Sequence, residues 1–110
     1  MTDHSLDVLA ALADEIAARK SGAPDQSYTA QLLSRGVEKC AKKLGEEAVE
    51  TALAAVLGDK VHIAAESADL LYHLLVLLEA TGVPLADVMA ELARRKGVSG
   101  LAEKAARPKD

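Results

Sequence analysis

The amino-acid sequence predicts an all-α domain, a helical bundle built round a central antiparallel helix hairpin. Three observations carry that prediction. Ala and Leu supply 39 of the 110 residues (22 and 17), and both lose little entropy on entering a helix. Val, Ile and Thr add only 15, and Tyr28 and Tyr72 are the whole aromatic content, so residues that favour strands are scarce. Two long segments without Pro flank the turn at Gly58-Asp59. A β-sandwich, a barrel and a Rossmann sheet are excluded. The length fits one domain, 1–110, with a core region of about 5–96 and a tail of 97–110. A chain this size buries roughly 60–70% of its unfolded surface. Lacking large aromatics, its core must come from closely packed helices, and a second chain would help.

Leu6, Leu9, Ala13, Ile16 and Ala17 recur at three- and four-residue steps and predict a first helix over about 5–20. Residues 21–26 read as a loop by their turn residues. Ser27 is placed to cap a short helix ending near Gly36. A long helix is expected over 37–57, with Gly45 inside it at a cost of about 1 kcal/mol relative to Ala. Either that cost is tolerated or something approaches the backbone there. Gly58 and Asp59 mark a stop and a new N-cap, and the next helix is expected over 60–80. Pro84 reads as the first residue of a helix reaching about Lys96. After Gly97 and Gly100, a short charged helix is expected from about Leu101.

Thirteen basic against 17 acidic residues give a net charge of −4, which argues against a general nucleic-acid binder. Cys40 is the sole cysteine and reads as a small buried hydrophobe. The first 20 residues carry four acids and no basic leader, unlike a signal peptide. The uncharged run 70–78 is shorter than the roughly 20 residues of a membrane span. A cytoplasmic protein without membrane attachment is expected.

The chemistry concentrates on the two long helices. Glu47 and Glu50 lie three apart on the first, and Glu66 and Asp69 three apart on the second, so each pair shares a face. Positions equidistant from Gly58 pair residue 50 with 66 and residue 47 with 69. Four carboxylates are therefore expected as two facing rungs, roughly 12–17 Å from the turn at 1.5 Å per residue. On a partly apolar seam they would repel one another unless a cation sat among them. Oxygen donors of this kind suit Mg²⁺ first and Mn²⁺ next. A di-iron carboxylate bundle would want a Glu-x-x-His motif, but Asp69 occupies the matching position. Taken singly, each acid reads as a solvated residue paired with Lys; the mirrored spacing of all four favours a metal site.

Glu47-x-x-Glu50 followed by Glu66-x-x-Asp69 resembles the signature of the all-α, MazG-like nucleotide pyrophosphohydrolases. Three stretches narrow the resemblance: Ser27-Tyr28-Thr29; Lys42-Lys43-Leu44-Gly45-Glu46-Glu47-Ala48; and Ala68-Asp69-Leu70-Leu71-Tyr72-His73-Leu74. With Arg94-Arg95, Ser99-Gly100 and Glu103-Lys104 in the tail, the chain is similar to the phosphoribosyl-ATP pyrophosphohydrolase family over about 5–107. That resemblance implies cleavage of phosphoribosyl-ATP between its α- and β-phosphates, giving phosphoribosyl-AMP and pyrophosphate, the second step of histidine biosynthesis. It also implies the stand-alone form, since 110 residues leave no room for the cyclohydrolase fused to many relatives.

Glu47, Glu50, Glu66 and Asp69 are then the expected metal ligands, because metal ions must neutralise a polyphosphate under attack by water. Glu46 supports a metal ligand, acts as the base that positions the attacking water, or is an exposed pair with Lys42 or Lys43. Lys43, Arg95 and Lys104 are expected to hold phosphates, although each could equally be solvated surface. His73, four residues after Asp69, contacts substrate, orients a ligand or fills the core. Tyr28 stacks on adenine or packs at the start of its helix; His4 and His62 carry no signal. The Leu-rich helix is apolar on more than one face, which predicts a homodimer. Two other readings remain: a related activity on dUTP or non-standard nucleotides, and a non-enzymatic helical dimerisation module.

Overall fold

Two helices of 21 and 22 residues, α3 (Val37–Leu57) and α4 (Lys60–Thr81), form the centre of the molecule in a computed structural model of the chain. The structure describes residues 5–97 and 100–108, with the backbone alone at 102 and 103. Ser99 and the Glu103 side chain, which contribute to the resemblance in the tail, lie outside the described residues. Before the hairpin come α1 (Asp7–Arg19) and α2 (Tyr28–Ser34); after it come α5 (Leu85–Arg95) and α6 (Gly100–Ala106). Among the described residues there is no strand, and the fold is all-α.

Local chemistry sets the ends of these helices. Gly58 takes φ +81°, a left-handed conformation that side chains disfavour, and its N–H closes on the carbonyls of Ala54 and Ala55. Asp59 then accepts hydrogen bonds from the backbone N–H groups of Val61 (3.0 Å) and His62 (3.3 Å), opening α4 two residues after α3 closes. Ser27 caps α2 in the same way, accepting from the Ala30 N–H at 3.2 Å. Pro84 departs from the expectation. It is the extended residue before α5, with ψ 143°, and Leu85 is the first helical one. The Val83 N–H reaches back to the Leu78 carbonyl at 2.9 Å, and this wrap round the end of α4 delays the next helix by one residue. α1 begins at Asp7, two residues later than expected, and Ser5 Oγ accepts from the Asp7 N–H.

Ile16 of α1, Leu32 of α2, Cys40 of α3, and Leu75 and Val76 of α4 form the buried core. Cys40 Sγ lies 3.4 Å from the Leu32 carbonyl and donates to it, the small buried role expected of it. By length and composition α4 is apolar enough to cross a bilayer, which the short run 70–78 understated because Glu66 and Asp69 lie just before it. It packs against α1, α2 and α3.

The accessible surface of the chain is 8001 Å², against about 5,800 Å² for a folded monomer of 11.5 kDa. The radius of gyration is 15.9 Å, against about 13 Å for a compact domain of this length. Val49, Leu53 and Val56 form an exposed apolar stripe on α3, continued by Leu57 and Val61 at the hairpin tip.

Candidate active site

Thr51 shows the register of the hairpin. Its hydroxyl lies 2.8 Å from the Glu47 carbonyl and 3.1 Å from the Glu66 carbonyl on the facing helix. Cys40, Glu47 and Ala54 are the buried residues of α3, spaced seven apart, so they form the stripe that faces the bundle. Glu47 is thereby carried into the seam and is 9% exposed. Glu50, three residues on, is rotated about 60° round the helix from Glu47 and stays exposed.

Glu47, Glu66 and Asp69 converge, each offering a carboxylate oxygen within 4.8 Å of the other two. Glu50 lies outside this trio but near enough to act electrostatically on Glu47. The two facing rungs expected from the spacing thus become a triangle with a fourth acid at its edge. Oε2 of Glu47 and Oε2 of Glu66 are buried with no hydrogen-bond partner, as is Nδ1 of His73. Burial, and then repulsion from Glu50 and Asp69, pushes the Glu47 carboxyl above the ordinary carboxylate range. Burial chiefly, and then Lys43, pulls the His73 imidazole below its usual range. His73 Nε2 lies 3.9 Å from Glu47 Oε1, but both shifts favour the neutral forms.

Lys43 Nζ lies 3.6 Å from Glu46 Oε1. The nearby Tyr28 hydroxyl, with Glu46 and Glu47, holds the Lys43 ammonium above the ordinary lysine range despite an opposing desolvation effect. His62, which carries no signal by itself, lies with Nε2 3.4 Å from Glu66 Oε1. Its position four residues before Glu66 could have revealed that contact. Thr51 was also missed, and nothing local to it points across the hairpin. Arg95 is held by Glu91, with Nε 3.0 Å from Oε1. Lys104 is exposed on α6. Neither is among the charges that shift Glu47, Lys43 or His73.

The trio fits a hard cation. Three carboxylate oxygens gathered this closely would hold a small divalent ion that takes oxygen ligands. Two unpartnered buried carboxylate oxygens are the atoms such an ion would satisfy.

The all-α hairpin with converging carboxylates on its facing helices agrees with a MazG-like pyrophosphohydrolase, a class of hydrolase. The family model described as phosphoribosyl-ATP pyrophosphohydrolase matches residues 9–96, and the chain belongs to that family. It is similar to a phosphoribosyl-ATP pyrophosphatase of Cereibacter sphaeroides, 60% identical over 102 residues that cover 93% of this chain and 99% of the relative. A protein of the same name from Dinoroseobacter shibae is 58% identical over 102 residues, covering 93% of this chain and all of the relative. One from Ruegeria pomeroyi is 57% identical over 104 residues, covering 94% and 99%.

Proposed function

We propose that this protein hydrolyses phosphoribosyl-ATP to phosphoribosyl-AMP and pyrophosphate in the cytoplasm, as the second step of histidine biosynthesis, and that it requires Mg²⁺, with Mn²⁺ as a substitute. The observation that carries this reading is the convergence of Glu47, Glu66 and Asp69, with orphaned oxygens on two of them, in a member of this family. These three residues, with Glu50 at the edge, would hold the cation. When bound, it supplies positive charge to offset the polyphosphate. Glu46, steadied by Lys43, positions the attacking water and accepts its proton. The water oxygen bonds to the α-phosphorus while the α–β bridging oxygen departs with pyrophosphate. Lys43 holds phosphate beside the acids, and Arg95 and Lys104 add phosphate contacts from α5 and α6. His73, against Glu47, orients that carboxyl and faces the substrate.

A homodimer accompanies this reading. It is supported by about 2,200 Å² of accessible surface beyond that of a compact monomer and by the apolar stripe on α3. The apolar groove of about 590 Å³ between α1, the end of α4 and α5 offers further surface for a partner.

Exchange of Glu47 for Gln or Asp69 for Asn tests the metal site. Each is expected to lower turnover more than about a hundredfold, since several kcal/mol of charge stabilisation would go. The helical circular dichroism should stay unchanged. Mg²⁺ at a hundred times its Kd should stabilise the native protein by about 2.7 kcal/mol, and the variants should lose that increment. Near-full activity in either variant overturns the assignment, and turnover of dUTP at a matching rate overturns the substrate.

A further inference from the structure

Both aromatic residues of the chain and the buried His73 meet beside the carboxylates. Tyr28 and Tyr72 stack with ring centroids 6.4 Å apart and planes 19° from parallel. His73 packs edge-on against both, at 6.2 Å from Tyr28 and 5.0 Å from Tyr72. The Tyr72 hydroxyl is hydrogen-bonded to that of Thr29, which pins the lower ring. Tyr72 packs on the core, whereas Tyr28 does not and is 52% exposed. A half-exposed ring backed by a fixed ring adds little to folding and is available to solvent.

We propose that Tyr28 is the platform on which the purine of the substrate stacks. The inference rests on the proposed function, which places the polyphosphate at the carboxylates. His73 bridges the two sites, packing edge-on against Tyr28 and approaching Glu47 with Nε2 at 3.9 Å. A nucleotide has the same layout, with one ribose between the base and the α-phosphate. Lys43 adds a cation beside the acids, with Nζ 3.6 Å from Glu46 Oε1. Small-molecule sites commonly pair an apolar or aromatic wall with a few polar groups in this way.

Steady-state kinetics on the full chain separates the possibilities. Tyr28→Leu should raise KM for phosphoribosyl-ATP about tenfold, the scale of one base–aromatic stack, with kcat within about twofold. Tyr28→Phe, which keeps the ring, should hold KM near the native value. Inhibition by tripolyphosphate, which has no base, should be equal in Tyr28→Leu and the native protein. An unchanged KM in Tyr28→Leu overturns the proposal, and so does an equal loss of tripolyphosphate binding. If the native protein does not turn over phosphoribosyl-ATP, the proposed function fails; binding of Mg-ATP to Tyr28→Leu and native protein then judges the ring by itself. Should Tyr28→Leu not fold, the native emission decides, because the chain has no Trp and only Tyr28 and Tyr72 fluoresce. Quenching by ATP beyond that caused by tripolyphosphate supports stacking, and equal emission with the two ligands overturns it.

Discussion

Cys40 and Glu47 stand seven residues apart on one stripe of α3, and burial acts on both in the same direction. It raises the thiol of Cys40 and the carboxyl of Glu47, because each charged form would lie away from water. For Cys40 the result is inertness. A thiol reagent at neutral pH should label it only as fast as the native structure opens, and stoichiometrically in denaturant. Rapid labelling of the native protein would contradict its 1% exposure and its bond to the Leu32 carbonyl. For Glu47 the same burial leaves an oxygen without a partner, a deficit that a cation would remove. The small buried role of Cys40 was legible from its residue type and helical setting. Glu50 was not separable from Glu47, since a spacing of three places two residues on one face without saying which points squarely at the neighbouring helix.

At the scale of elements, the helix ends were the most legible features. Gly58, Asp59 and Ser27 act through bonds to residues at most four positions away, so their chemistry is complete in the local sequence. Pro84 was misplaced by one residue because the wrap of Val83 onto Leu78 depends on how α4 finishes. Gly45 illustrates an ambiguity that space resolves. A Cβ built there meets nothing within 4 Å, so no described part of the chain requires a bare backbone at that point. Gly45→Ala is therefore expected to stabilise the protein by about 0.5–1 kcal/mol, through lower chain entropy in the unfolded state. In thermal unfolding this is a rise of roughly 2–8 °C for a domain of this size. An unchanged or lower Tm would mean that α3 is strained at Gly45 or that another molecule approaches it.

At the scale of the molecule, the surface area is the principal quantity. A single chain exposing 8001 Å², with Val56 and Leu57 of the hairpin tip largely in solvent, has more accessible surface than a compact monomer of its mass. Sedimentation equilibrium at micromolar concentration is expected to give twice the 11.5 kDa chain mass. Replacing Leu53 and Val56 with Asp should shift the population to monomer if the α3 stripe is the contact. A monomeric native protein would refute the dimer without touching the chemistry of the acids.

The sequence by itself determined the helical class, the hairpin, its turn and the acids brought towards one level, because these follow from composition, helical period and short-range capping. Only the tertiary structure decided that three of the four acids converge while Glu50 stays at the edge, that His73 meets Glu47, and that Tyr28 stacks on Tyr72 while half-exposed. The physical reason is rotational. The angle of each helix about its own axis is set by packing against all its neighbours at once, and a change of a few tens of degrees exchanges one side chain for another at the seam.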